Sequence, residues 1–116
     1  MNGTRPAKTR RRYVVFHVTS DGEFEYEEVS QSIWDMLLRL FGELGVSLMD
    51  LRLMEYDEQS GFGILRCTHK TVDAVHAGVS MISNIEGTPV LIDVKKITGS
   101  LRKARKVIGE LKKQAT

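Results

Sequence analysis

Apolar residues alternate near the start of this chain, then fall into a helical rhythm, and the same switch recurs further along. Over residues 12–19, Val14, Phe16 and Val18 alternate with Tyr13, Val15 and His17, a period of two that predicts a strand. One face is fully apolar and the other mixed, as expected of a strand central in its sheet. Ser20-Asp21-Gly22 is turn chemistry. Over 27–43 the spacing predicts a helix, its broad apolar stripe formed by Val29, Ile33, Trp34, Leu37, Leu40, Phe41 and Leu44, with Gly45 as its stop. Residues 48–56 and 62–68 read as two strands joined by the hairpin loop Asp57-Glu58-Gln59-Ser60-Gly61. Thr68 is placed to cap a second helix over 69–83, where Val72, Val75, Val79 and Ile82 form a stripe. Gly87-Thr88-Pro89 turns the chain into a strand over 90–97, and a third helix follows Gly99 over 100–114.

The order is strand, helix, strand, strand, helix, strand, then an added helix. This is the split βαβ pattern of α+β, ferredoxin-like folds, among them RNA-recognition domains. Short connections and right-handed crossovers place the first and third strands in the middle of a four-stranded antiparallel sheet. Two helices cover one face. The other face is either a binding surface or lies beneath the last helix, whose Leu101, Ala104, Ile108 and Leu111 line one side.

At 116 residues, 41% apolar and 28% charged, the chain is expected to form one soluble domain over 11–116, with residues 1–10 as a flexible basic arm. The single cysteine, Cys67, excludes an internal disulfide and fits a cytoplasmic setting. No apolar run is long enough to cross a bilayer, so no membrane partner is expected.

Charge changes the picture more than composition does. Residues 1–12 carry Arg5, Lys8, Arg10, Arg11 and Arg12 with no acid, and residues 95–116 carry eight bases against Glu110. Residues 13–94 hold 14 acids and four bases, so a net charge of +2 conceals strongly segregated ends. Two basic ends suit a polyanion such as RNA, because each neutralised phosphate releases counterions.

Ser60-Gly61-Phe62-Gly63-Ile64-Leu65-Arg66-Cys67 lines up with the third-strand octamer of RNA-recognition domains, whose glycines let nucleic-acid or protein backbone approach. Phe62, Ile64 and Arg66 would point outward. With Ser60, Ile64 and Cys67 in place of a base and two aromatics, half of the stacking platform is missing. A protein-covered strand is the competing reading, so Phe62 and Ile64 are candidates for partner contact. Trp34 reads as core, with a partner-facing patch as the alternative.

Arg66 fits either a phosphate or an ion pair with Glu55 or Asp57 across the hairpin. Gly99-Ser100 fits either a phosphate at the helix start or a plain N-cap. His69 beside Lys70 could reach RNA or simply be solvated, whereas His17 and His76 read as surface or packing residues. Cys67 and His69 find no second pair to complete a zinc site, and no nucleophile–base–acid set is present. A ferredoxin-like acylphosphatase needs an anion-binding loop after its first strand, and Ser20-Asp21-Gly22-Glu23 is acidic there.

Taken together, Arg12-Tyr13-Val14-Val15-Phe16, Ile33-Trp34, Leu40-Phe41-Gly42-Glu43, Gly61-Phe62-Gly63-Ile64-Leu65-Arg66-Cys67, Val72-Asp73-Ala74-Val75 and Ile97-Thr98-Gly99-Ser100-Leu101-Arg102-Lys103-Ala104 resemble one family. It is the ribonuclease P protein component 2 family of archaea, with eukaryotic relatives in ribonuclease P and ribonuclease MRP. The resemblance runs from Arg11 to Lys106. It implies an RNA-recognition-like fold with added helices, in a ribonucleoprotein that removes the 5′ leader of precursor tRNA. The RNA subunit would be the catalyst and would use magnesium, the protein binding no cofactor. The implied protein partner is the barrel-like ribonuclease P protein component 3, as a heterodimer or heterotetramer. RNA contacts are then expected at Arg10, Arg11, Arg12, Arg66, Lys70, Lys95, Lys96, Ser100, Arg102, Lys103, Arg105 and Lys106. Family members commonly carry a basic or small polar residue where this chain has Leu101, so no contact is assigned there. The rival functions are a protein-binding scaffold, favoured by the acidic middle, and a generic reader of single-stranded RNA.

Overall fold

A computed structural model describes residues 10–114. Residues 1–9, nearly all of the expected arm, lie outside them, as do residues 115–116. The elements are β1 (Arg11–Thr19), α1 (Tyr26–Ser47), β2 (Arg52–Tyr56), β3 (Phe62–Thr68), a 3-10 turn (His69–Thr71), α2 (Val72–Ser80), β4 (Asn84–Ile85), β5 (Thr88–Pro89), β6 (Leu91–Thr98) and α3 (Leu101–Gln114).

The main sheet is antiparallel throughout, in the order β2-β3-β1-β6, so the first and third strands are central as expected. Alternation along β1 sends Val14, Phe16 and Val18 to the face covered by α1 and α2, where they meet Val29, Ile33, Leu37, Val75 and Val79 in the larger core. Val15 points to the opposite face. There it is buried with Ile64 beneath Ala104 of α3, with Tyr13, Met54, Leu101, Val107 and Ile108 packed around them. The choice left open by the sequence is thereby decided: the last helix covers the second face of the sheet.

Register carries one irregularity that matters for the surface. Val15 faces Lys96 across the β1–β6 ladder while Phe16 faces Val94, so Lys95 is an extra residue. This bulge lets Val94 and Ile97, three residues apart, both pack on the larger core. It leaves Lys96 beside Val15.

Three expectations are corrected. The apolar stripe of α1 does not run on to Leu44, because Gly42 adopts φ 72° and ψ 175° and interrupts the helix. The turn after the break presents Val46 to the core and leaves Leu44 78% exposed, with Leu40 and Phe41 also at the surface. Gly45 lies inside that turn rather than ending the helix. Second, residues 48–50 form a turn and β2 starts only at Arg52, rather than the strand starting at Leu48. The Thr68 hydroxyl donates to Leu48 O at 3.3 Å instead of capping α2, which begins only after the 3-10 turn. Third, the expected Gly87 turn belongs to the small β4–β5 hairpin, with Glu86 and Gly87 both at positive φ.

Candidate nucleic-acid interface

The geometry of α3 decides which of its bases face outward. Ser100 caps the helix: its Oγ accepts the Lys103 N–H at 3.2 Å, its carbonyl accepts the Ala104 N–H at 3.1 Å and the Thr98 hydroxyl donates to that carbonyl at 2.8 Å. Ser100 is therefore the N-cap of α3, its hydroxyl oxygen accepting from the helix's own backbone. Burial of Ala104 fixes the helix's rotation. At 100° per residue, Arg102 and Lys106 then fall on the opposite side and Lys103 beside them, all exposed. None of the three has a carboxylate partner among the described residues.

The flank of α3 that meets the β2–β3 hairpin behaves differently. Arg105 Nε donates to Glu55 Oε2 at 2.6 Å, and a second guanidinium nitrogen reaches the same oxygen. Lys112 Nζ donates to Asp57 Oδ2 at 2.7 Å. That bond, helped by the Ser60 hydroxyl, pulls the Asp57 carboxyl down to about 2. Arg105 and Lys112 thus turn toward the acidic segment while Arg102, Lys103 and Lys106 stay outside.

Arg66 is likewise partnered, but with neither acid expected of it. Its Nη2 lies 3.3 Å from Asp50, whose other oxygen is 2.8 Å from Arg11 Nη2. The Arg66 side chain is only 14% exposed. Reading 48–56 as one strand hid this role, since Asp50 sits in the turn before β2 at a positive φ of 47°. Arg52 was also missed; it lies opposite Arg66 in the β2–β3 register and is exposed. Period-two alternation back from Arg66 across the hairpin is the signal that places it there.

Other candidates separate by location. The His69 N–H donates to Arg10 O at 2.9 Å, which brings Arg10 and Lys70 to one edge. Arg12 donates to Arg11 O at 3.0 Å. Lys95 and Lys96 are exposed on β6, Lys95 standing 3.8 Å from Asp93. Ile64, expected to face outward to a partner, is fully buried under α3. The missing aromatic at that position is the physical reason, because an aliphatic side chain seals against Ala104. Phe62 stays half-buried beside His17, ring centroids 4.6 Å apart. Trp34 is partly buried against the larger core, as the core reading had it. Burial pushes the Cys67 thiol up to about 11, too high for a nucleophile at neutral pH. Among the described residues no three His, Cys, Asp or Glu side chains gather as a metal site, and no helix is long and apolar enough to cross a membrane.

What remains is a set of outward cations on α3, at the start of β1 and at the bulge of β6, around a βαββαβ body. A family model covers that body almost completely: the Rpp14/Pop5 family matches residues 12–108. The chain belongs to the Rpp14/Pop5 family. Among relatives in this family, it is 30% identical over 99 residues to ribonuclease P protein component 2 of Pyrococcus furiosus, spanning 85% of this chain and 82% of that one. Against the Pyrococcus abyssi protein of the same name the identity is 29%, over 85% and 84%. Against the Saccharolobus islandicus protein it is 28%, over 85% and 69%. In three dimensions the Rpp14/Pop5 fold seen here is similar to a chain in a cryo-EM structure of yeast ribonuclease MRP. The TM-score is 0.67 at 15% identity, over 96% of this chain and 98% of that one.

Proposed function

We propose that this chain is an RNA-binding protein subunit of ribonuclease P that assists 5′ maturation of precursor tRNA by placing the outward cations of α3 against RNA phosphates. The ribonuclease P role rests on membership of the Rpp14/Pop5 family and on relatives named ribonuclease P protein component 2. The manner of assistance rests on one observation: Arg102, Lys103 and Lys106 are exposed, and without carboxylate partners among the described residues, on a helix whose other side is locked to the sheet. Rigidly held cations screen phosphate repulsion between RNA segments, which lowers the counterion requirement of the folded RNA. In this reading the chemistry, and the magnesium it uses, belong to the RNA. Arg105 and Arg66 contribute less than their charge implies, because Glu55 and Asp50 already hold them. Their pairs are solvent-accessible on the acid side, where ion pairs are worth little and a phosphate competes.

The protein partner in this reading is the barrel-like component 3. Leu40, Phe41, Leu44, Leu48 and Met81 support it, being large apolar side chains exposed around the break in α1 and the end of α2, away from the basic helix. A scaffold without RNA contact would draw on the same surface.

Changing Arg102, Lys103 and Lys106 together to Ala separates the two. The substitution should weaken binding to ribonuclease P RNA and reduce the steepness of log affinity against log salt by about 2–3 in a filter-binding titration, with the melting temperature unchanged. An unaltered salt dependence would remove α3 from the RNA interface and favour the scaffold.

A further inference from the structure

The covering of the second sheet face is incomplete. Across the row of Val15 and Ile64, α3 seals the sheet against Ala104. One row nearer the hairpin, Phe62 and His17 face each other in the β1–β3 register, with half-buried Leu111 of α3 lining the space beside them. There a cavity of about 500 Å³ opens between the sheet and the C-terminal end of α3, with Lys95, Lys112 and Gln114 at its mouth. It lies over the part of the second sheet face that α3 leaves uncovered.

Its walls are set for a flat aromatic group. His17 Nε2 donates to Ser60 O at 2.8 Å, which leaves Nδ1 to accept from the Thr19 hydroxyl at 3.3 Å. The imidazole is thereby fixed at 53° to the Phe62 ring, and the two rings together form a rigid corner. A base inserted there stacks on one ring and meets the edge of the other, a sequence-tolerant interaction because every base has a π-face. The mouth supplies the complementary charge. The ammonium of Lys95 is beyond hydrogen-bonding distance of Asp93 at 3.8 Å, and Lys112 is paired with Asp57 through a contact exposed at both ends. An aromatic protein side chain would fill the corner equally well but brings no anion to meet Lys95 or to compete with Asp57 for Lys112. An aromatic base carrying a phosphate satisfies both.

We infer that this cavity holds a single unpaired RNA nucleotide, its base against Phe62 and His17 and its phosphate at Lys95 and Lys112. The inference rests on the RNA-binding reading above and adds to it a stacking contact that salt does not govern.

The test uses the full chain and a fluorescent decauridylate, titrated over a salt series, with Phe62→Leu as the variant that keeps the apolar volume and removes the ring. Phe62→Leu should lower affinity about tenfold at every salt concentration with an unchanged slope. In parallel, 5-bromouridine-substituted decauridylate irradiated with the wild-type chain should cross-link at Phe62 or His17 by peptide mass mapping. Should the variant not fold, the wild-type cross-link map decides alone. Wild-type affinity in Phe62→Leu with cross-links elsewhere would overturn the inference, and the α3 triple variant would still show its reduced slope if RNA binding itself is right. Loss of binding to a protein partner rather than to RNA in Phe62→Leu would overturn it as well, assigning the corner to a protein side chain.

Discussion

Gly63 and Phe16 show how a residue that fits a nucleic-acid motif can have a packing cause. Phe16 is fully buried at the centre of the sheet, its ring stacked on Tyr56 with centroids 6.3 Å apart. Gly63 is its partner across the β1–β3 ladder, and a Cβ there would stand 2.8 and 3.0 Å from two Phe16 ring atoms. The close approach that the octamer reserves for backbone is used here by an aromatic side chain of the same protein, on the face away from α3. Gly63→Ala should therefore destabilise the fold by about 1–3 kcal/mol in urea denaturation, with no direct effect on RNA contacts. Gly42 is constrained for another reason, since φ 72° with ψ 175° is a backbone region open almost only to glycine. A stability unchanged in Gly63→Ala would mean that Phe16 can leave its place without loss.

At the scale of elements, α3 is joined to the sheet by a short apolar strip and by two ion pairs to the β2–β3 hairpin. Asp57 titrates at about 2 in the folded chain against 3.8 ordinarily, so its ionised form favours the folded state. That contribution is complete above about pH 4 and is lost as the pH falls from there toward 2. The stability difference between wild type and Asp57→Asn, followed by thermal unfolding, should accordingly shrink between pH 4 and 2. It stays small because the pair is solvent-exposed. A difference that held constant over that range would sever Asp57 from the docking of α3. Periodicity made most elements legible in advance: β1, β3, β6 and α3 match within a residue or so, since their apolar spacing is undisturbed. The end of α1 was not legible, because the Leu40, Phe41, Leu44 spacing continues smoothly through Gly42 and only the backbone angle at that glycine turns Leu44 outward. Nor was the pairing of Arg66 with Asp50, which needs the turn before β2 to be known. The bases of α3 were readable as a group, but not which of them face the acids, since that depends on where Ala104 lands on the sheet.

The molecule as a whole has its charge sorted by surface as well as by sequence. Acids of the middle segment capture Arg11, Arg66, Arg105 and Lys112, while Arg102, Lys103 and Lys106 project from the far side of the helix. Partial neutralisation along one flank concentrates the positive potential on the other, the side proposed to meet the RNA phosphates. If the chain helps by screening phosphates, its benefit is greatest when magnesium is scarce. The most direct test is leader removal from precursor tRNA by ribonuclease P reconstituted from the cognate RNA and its protein components, with wild-type chain or the Arg102, Lys103 and Lys106 to Ala variant, across a magnesium series. The account predicts a cleavage deficit for the variant that is largest at limiting magnesium and closes as the ion is raised. A variant that matches wild type at every magnesium concentration, or one whose deficit magnesium does not relieve, would contradict it.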